Sequence, residues 1–179
     1  HKQGIDNFQN IIEYAANVDR ISTVSAFALS TENLKRSQAE LDNLFRLFSS
    51  FEAKLPRLIK NDINICFLGN LQLLPEDLIA SFQRVSEATA TCERLTVNLC
   101  VAFGGRDEIV RAARRLSEEK DEWSEDSLGA YLDSAASPAL DLVIRTGGQK
   151  RISNFMIWEA AYAEFYFTDT LWPDFNEAS

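Results

Sequence analysis

Apolar runs of strand length recur along this chain, and between them the apolar residues fall at helical spacing. Residues 21–29 (ISTVSAFAL), 63–68, 95–103 (LTVNLCVAF), 140–144 and 165–167 are short and rich in β-branched or aromatic residues. Over residues 4–18, Ile5, Phe8, Ile11, Ile12, Ala15 and Ala16 recur three or four apart, which predicts an amphipathic helix. From Ser37 the stripe Leu41, Leu44, Phe45, Phe48, Phe51, Leu55 and Leu58 predicts one long helix with a core-facing side. Pro75 followed by Glu76 and Asp77 marks another helix start. Further helices are predicted from Asp107 onward, over residues 128–132 and over residues 154–163. Strands that alternate with helices become parallel neighbours, because each crossover returns the chain to the same end of the sheet. The predicted fold is therefore α/β: a mostly parallel central sheet flanked by helices, in a single domain over residues 1–179.

Composition narrows the function. With 46% hydrophobic residues in 179, the chain has enough apolar mass for one real core. Twenty-seven Asp and Glu outweigh 18 Lys and Arg, for a net charge of −9. That balance argues against general nucleic-acid binding, which rests on basic surface, so any anionic ligand needs a local cationic pocket. The single His stands at residue 1, which removes His-rich zinc sites and His-dependent triads. Cys66, Cys92 and Cys100 form no Cys-x-x-Cys pair and read as reduced, buried thiols of an intracellular protein. No apolar run approaches the roughly 20 residues that span a bilayer.

In open parallel sheets, ligands bind beyond the carboxyl ends of the strands. Three predicted strand ends carry polar or cationic clusters: Ser30-Thr31-Glu32-Asn33 with Arg36, then Gly104-Gly105-Arg106, then the run Arg145 to Asn154. Glycines let a backbone approach phosphate, and helix N-termini offer free N–H groups to it. Arg145, Arg151 and Ser153 add two guanidinium forks and a hydroxyl, a donor set suited to a diphosphate. Plainer readings stand beside these. Gly104-Gly105 reads as a tight turn, Arg106 as a surface ion pair with Asp107 or Glu108, and Glu164 as a surface strand residue. No Gly-x-Gly-x-x-Gly or Walker-type loop follows a strand, which leaves a nucleotide-binding reading without its motif.

The runs FALSTENLKRS, FGGRDEIVRAARRL, LVIRTGGQKRISNFMIW and AYAEFYFTDTLWPDF resemble the cis-prenyltransferases, the undecaprenyl diphosphate synthase group, in that family's order and across the chain. The resemblance implies condensation of isopentenyl diphosphate onto an allylic diphosphate such as farnesyl diphosphate, with Mg²⁺, by a homodimer with a hydrophobic tunnel. It implies that Arg145, Arg151 and Ser153, with Ile152 between them, hold isopentenyl diphosphate, and that Glu164 is the magnesium ligand. Ser30, Thr31, Glu32, Leu34 and Arg36 match the segment lining the allylic site, as does His1, and Asn33 matches a residue often assigned as proton acceptor. A neutral amide is a weak base, so positioning or proton relay suits Asn33 better. Leu44, Phe48 and Phe51 are the expected wall of the tunnel. Leu34 stands where the family usually has Trp, and Ser37 where Pro is common.

The sequence opens on His1 without a Met. In the resembled family an Asp-Gly-Asn-Gly-Arg loop precedes that position and a basic Arg-x-Gly tail follows the position of Ser179. The polypeptide as given is therefore expected to hold about half an active site and to be inactive alone. The expected product is an undecaprenyl-type carrier lipid, and the expected location is the cytoplasm with peripheral membrane contact. The alternative function is a non-catalytic partner subunit that stabilises an active cis-prenyltransferase.

Overall fold

The strand Leu95–Phe103 is buried at every position but Thr96, and it forms the middle of the main sheet. In the computed structural model, which describes residues 2–176 and 178, this strand (β3) lies between β1 (Thr23–Ser30) and β2 (Ile63–Leu68), and both pair with it in parallel. A central parallel strand is covered on both faces, which is why its sequence is a near-continuous apolar run. Alternation along β3 divides it. Val97, Leu99 and Val101 join a core with Phe8, Phe48, Leu58 and Phe82. Cys100 and Phe103 pack instead with Leu68 and Met156.

The first core is supplied by four helices: α1 (Lys2–Ala16), α2 (Gln38–Ser49), α3 (Leu55–Lys60) and α4 (Glu76–Thr89). The predicted long helix over the Phe/Leu stripe is two helices. A 3-10 turn at Glu52–Lys54 separates α2 from α3, and Pro56, which has no N–H to give, sits in the first turn of α3. On the other side follow α5 (Gly105–Glu119) and α6 (Glu125–Ala130). The last two strands, β4 (Leu142–Arg145) and β5 (Glu164–Phe167), pair in parallel as a separate two-stranded sheet rather than extending the central three.

The helix expected over 154–163 is not formed. Ser153, Asn154 and Met156 have φ of 51°, 64° and 39°, a left-handed conformation that no right-handed helix can continue. Only a 3-10 turn at Glu159–Tyr162 remains of it. Gly104-Gly105 is likewise not a tight turn. Gly104 is extended and Gly105 opens α5, so the pair is a strand-to-helix junction.

The β1–β3 ladder skips Ala28 and Ala102 near its end, with Ala102 at φ 49°. Such bulges re-aim side chains at strand ends. Here the slip sets Ser30 beside Phe103, and the Thr31 amide donates to the Phe103 carbonyl at 3.0 Å. Gly69, which closes β2, has φ 128°, and a Cβ on it would stand 2.1 Å from the Val101 carbonyl oxygen. Gly69→Ala is therefore expected to lower Tm by about 10 °C in a thermal melt, given roughly 3 kcal/mol of strain and clash in a domain of this size.

Candidate functional site

The structure gathers the ends of β1 and β3 and the loop after β4 around one residue the sequence reading left unassigned, Asn154. Its amide nitrogen donates to Glu32 Oε1 at 3.1 Å, and its Oδ1 accepts the Arg106 amide at 2.9 Å. Its carbonyl accepts the Gly105 amide at 2.8 Å. The first free N–H groups of α5 are thereby used, so this helix start is capped by protein rather than open to an anion. Gly104 is glycine because the segment passes too close for more: a Cβ there would lie 2.7 Å from Thr31 Oγ1 and 3.0 Å from Asn154 Nδ2.

At the end of β1, Ser30 is buried and its Oγ accepts the Asn33 amide at 3.2 Å, which shapes the 3-10 turn Glu32–Lys35. Thr31 Oγ1 donates to Glu32 Oε2 at 3.2 Å. A hydrogen bond from its own backbone amide, and then those from Asn154, Ser30 and Thr31, hold the Glu32 carboxyl below the usual carboxylate range. Glu32 is therefore a fixed, ionised group. Leu34 packs against the first core, and Arg36 is exposed.

The loop after β4 carries the cations. Arg145 Nη1 donates to Ser153 Oγ at 2.7 Å and to the Arg151 carbonyl, and Arg151 Nη1 donates to Gln149 Oε1 at 2.6 Å. Among the described residues no carboxylate pairs with either guanidinium. Burial, and then the charge of Arg151, press the Arg145 value below the usual guanidinium range. Two adjacent cations held only by neutral acceptors leave positive charge for an anion to complete. The Gly147 and Gly148 amides do not add to it, since they donate to the Thr170 and Thr168 carbonyls at 2.8 and 2.9 Å. Ile152 is half-buried, and its carbonyl accepts the Phe155 amide at 3.1 Å. Arg106 forms no ion pair with Asp107 or Glu108. Asp107 pairs with Arg111 at 2.7 Å, and Glu108 is fully buried.

Behind β1 lies an apolar cavity of about 380 Å³ between α1, α2 and the sheet. Its walls include the expected Leu44, Phe48 and Phe51, facing Phe8, Ala26 and Ala28. The small side chains of Ala26 and Ala28 leave the volume that Val or Ile would fill, so the core here contains a gap. The Phe/Leu stripe is thus both core and cavity wall.

Glu164 begins β5 opposite Leu142, while Arg145 ends β4 opposite Phe167. Three residues of strand separate the two levels, about 10 Å at roughly 3.3 Å per residue. Within one chain the structure therefore does not bring Glu164 to the cationic loop. The Glu164 side chain is exposed, and among the described residues no group of three or more His, Cys, Asp or Glu could cage a metal. Mg²⁺ is ordinarily held by one or two carboxylates with substrate phosphates and water completing its shell, so a lone exposed Glu164 fits a metal brought in with a diphosphate. His1 lies outside the described residues.

The sequence placed Asn154 at the end of the cationic run without a role, and a buried acidic cluster was missed. Asn154 contacts Arg106 and Glu32 across separations of 48 and 122 residues, and its one local signal is that Asn tolerates left-handed φ. In the cluster, Glu108 Oε1 accepts the Asp133 and Ser134 amides at 3.0 and 3.3 Å. Glu159 faces it and bonds Ser134 Oγ.

A family model described as "Putative undecaprenyl diphosphate synthase" matches residues 1–179. An isoprenyl transferase of Chlamydia trachomatis is 38% identical over 98% of this chain and 72% of its own length. A tritrans,polycis-undecaprenyl-diphosphate synthase of Thermoplasma acidophilum, geranylgeranyl-diphosphate specific, is 36% identical over 99% of this chain and 72% of its own. Among solved structures, lavandulyl diphosphate synthase from Lavandula x intermedia, in complex with dimethylallyl diphosphate, superposes with a TM-score of 0.93 at 33% identity, over 99% of this chain and 80% of that one.

Proposed function

This chain belongs to the undecaprenyl diphosphate synthase family of isoprenyl transferases, and from that premise we propose that it adds isopentenyl diphosphate units to an allylic diphosphate such as farnesyl diphosphate. The product is a polyprenyl diphosphate of the undecaprenyl carrier type. One observation carries the reading: β1 lines an apolar cavity of about 380 Å³ and ends in a polar segment tied through Asn154 to a cationic loop. A diphosphate with a hydrocarbon tail needs that combination of unpaired cations beside a dry channel.

Each condensation breaks the allylic C1–O bond, releases inorganic diphosphate and joins C1 to the terminal alkene carbon of isopentenyl diphosphate. A proton then leaves C2 of the added unit. Arg145, Arg151 and Ser153, with Ile152 between them in the chain, bind the isopentenyl diphosphate, and the fixed positive charge of the two arginines offsets its negative charge. Ser30, Thr31, Glu32, Leu34 and Arg36 line the allylic site. Asn33 orients the substrate there or relays the departing proton to a diphosphate oxygen. Leu44, Phe48 and Phe51 exclude water from the growing chain. Glu164 is the residue that would hold Mg²⁺, which would supply charge neutralisation at the diphosphates.

On one face of the small sheet Leu142, Ile144 and Tyr166 are exposed apolar groups beside Glu164, and a second copy of the chain would cover them. A homodimer also accounts for Glu164 standing away from its own cationic loop. We assign the enzyme to the cytoplasm with peripheral membrane contact, where a long lipid product can leave. No described helix is long and apolar enough to cross a membrane.

The test is transfer of labelled isopentenyl diphosphate to farnesyl diphosphate by the full-length gene product with Mg²⁺, followed by extraction of label into butanol. Label appearing in products of increasing length supports the reading. No incorporation alone, but stimulation of an active cis-prenyltransferase on mixing, would replace it with the partner-subunit function.

A further inference from the structure

Asn154 is tied at once to the end of β1, the start of α5 and the loop after β4. Its two side-chain bonds, to Glu32 at 3.1 Å and to the Arg106 amide at 2.9 Å, run in opposite senses, so the side chain must donate and accept at once, as its amide does. Its neighbour Ser153 meanwhile accepts from Arg145 Nη1 at 2.7 Å. Both Ser153 and Asn154 are left-handed, at φ 51° and 64°, and neither is glycine. Consecutive residues in that region persist only where surrounding contacts over-determine them, and here the Gly105 and Arg106 amides do so.

We infer that Asn154 is a positioning residue: it fixes the Glu32 carboxylate and sets the spacing between the 30–36 segment and the 145–153 loop. The inference rests on the proposed function, in which these two segments each hold one diphosphate. The bond-forming step needs the allylic C1 and the isopentenyl alkene at near-attack distance. Shifting one segment against the other changes that distance while each site still binds its own ligand. The loss then falls on kcat, with KM for isopentenyl diphosphate nearly unchanged.

The test compares Asn154→Ala and Asn154→Asp in the full-length protein. The Asp variant keeps an acceptor for the Arg106 amide but sets a second carboxylate against Glu32, which hydrogen bonds already hold ionised. At pH 8 kcat is expected to fall about 10-fold for Ala and about 100-fold for Asp, the scale of an ångström-sized misplacement, with KM for isopentenyl diphosphate within about threefold. Towards pH 6 the Asp variant regains activity relative to wild type, as one carboxyl of the pair takes a proton and bridges to the other. Unchanged kcat in both variants, or equal losses that do not vary with pH, would overturn the assignment, since a residue that only packs gives no pH signature. A second readout needs no turnover: in Asn154→Ala the Arg106 amide is expected to exchange with solvent about 10-fold faster, because it loses its side-chain acceptor, while the Gly105 amide keeps the backbone carbonyl of residue 154. If wild type transfers no isoprenyl unit, the proposed function falls. The brace is then decided by exchange alone, and unchanged exchange overturns it.

Discussion

Arg145→Ala is expected to lower kcat/KM for isopentenyl diphosphate by about 10³, with most of the loss in KM. The guanidinium already spends one nitrogen on Ser153 Oγ at 2.7 Å and on the Arg151 carbonyl, which orients the fork and leaves its remaining donors for an oxyanion. Hydrogen bonds to charged groups contribute roughly 1.5–3 kcal/mol each, so losing two costs about 4 kcal/mol, or about a thousandfold. Removing Arg145 also frees Ser153, so one substitution loosens two of the proposed ligands. Arg145→Lys keeps the charge without the planar fork, and roughly a tenth of the lost activity should return. Steady-state transfer of labelled isopentenyl diphosphate measures both variants. Activity of the Ala variant equal to wild type would remove Arg145 from the substrate site.

The arginines could be picked out from sequence because their signal is local. A strand, then Arg-Thr-Gly-Gly and a short cationic run, places charge at a strand end wherever the rest of the chain goes. The alternation of strands and helices was legible for the same reason, since each period is read within one element. So was the Phe48 and Phe51 face of the cavity, although the helix behind it breaks at Glu52–Lys54. What the sequence hid depends on distant neighbours. The left-handed turn at 153–156 overrides a helical apolar spacing because Asn154 is held by Gly105 and Arg106. Arg106 looked like half of an ion pair with Glu108, but helical geometry turns Glu108 inward, beneath the loop 133–134. Separation of β4–β5 from the central sheet leaves no local trace either, because strand runs do not name their partners.

That inward turn of Glu108 carries the second large prediction. Glu108 Oε1 accepts two amides, but Oε2 is buried without a partner, as is Oε2 of Glu159. Asp133 also faces the group, and its charge is met by Arg111 and, at 3.5 Å, Arg115. Burial first, and then the charges of Glu159 and Asp133, push the Glu108 carboxyl up to about 8, and burial with these same acids pushes the Cys100 thiol up. The folded state therefore keeps a proton that the unfolded chain releases near its ordinary value of 4.5. Between these limits the folded protein binds more protons than the unfolded, so stability falls as pH rises and levels off above about 8. Glu108→Gln removes the titration while keeping an acceptor for the two amides. The variant is expected to match wild type near pH 5 and to exceed it at pH 8.5 by about 3 to 4 kcal/mol, from roughly 1.4 kcal/mol per pH unit. For a domain of this size that is about 10 °C in Tm. Paired thermal melts across that range measure it. A difference independent of pH would mean that Glu108 is ionised in the folded protein throughout. In that case its buried charge must be compensated by a group closer than Arg111, which is already committed to Asp107 and Asp133.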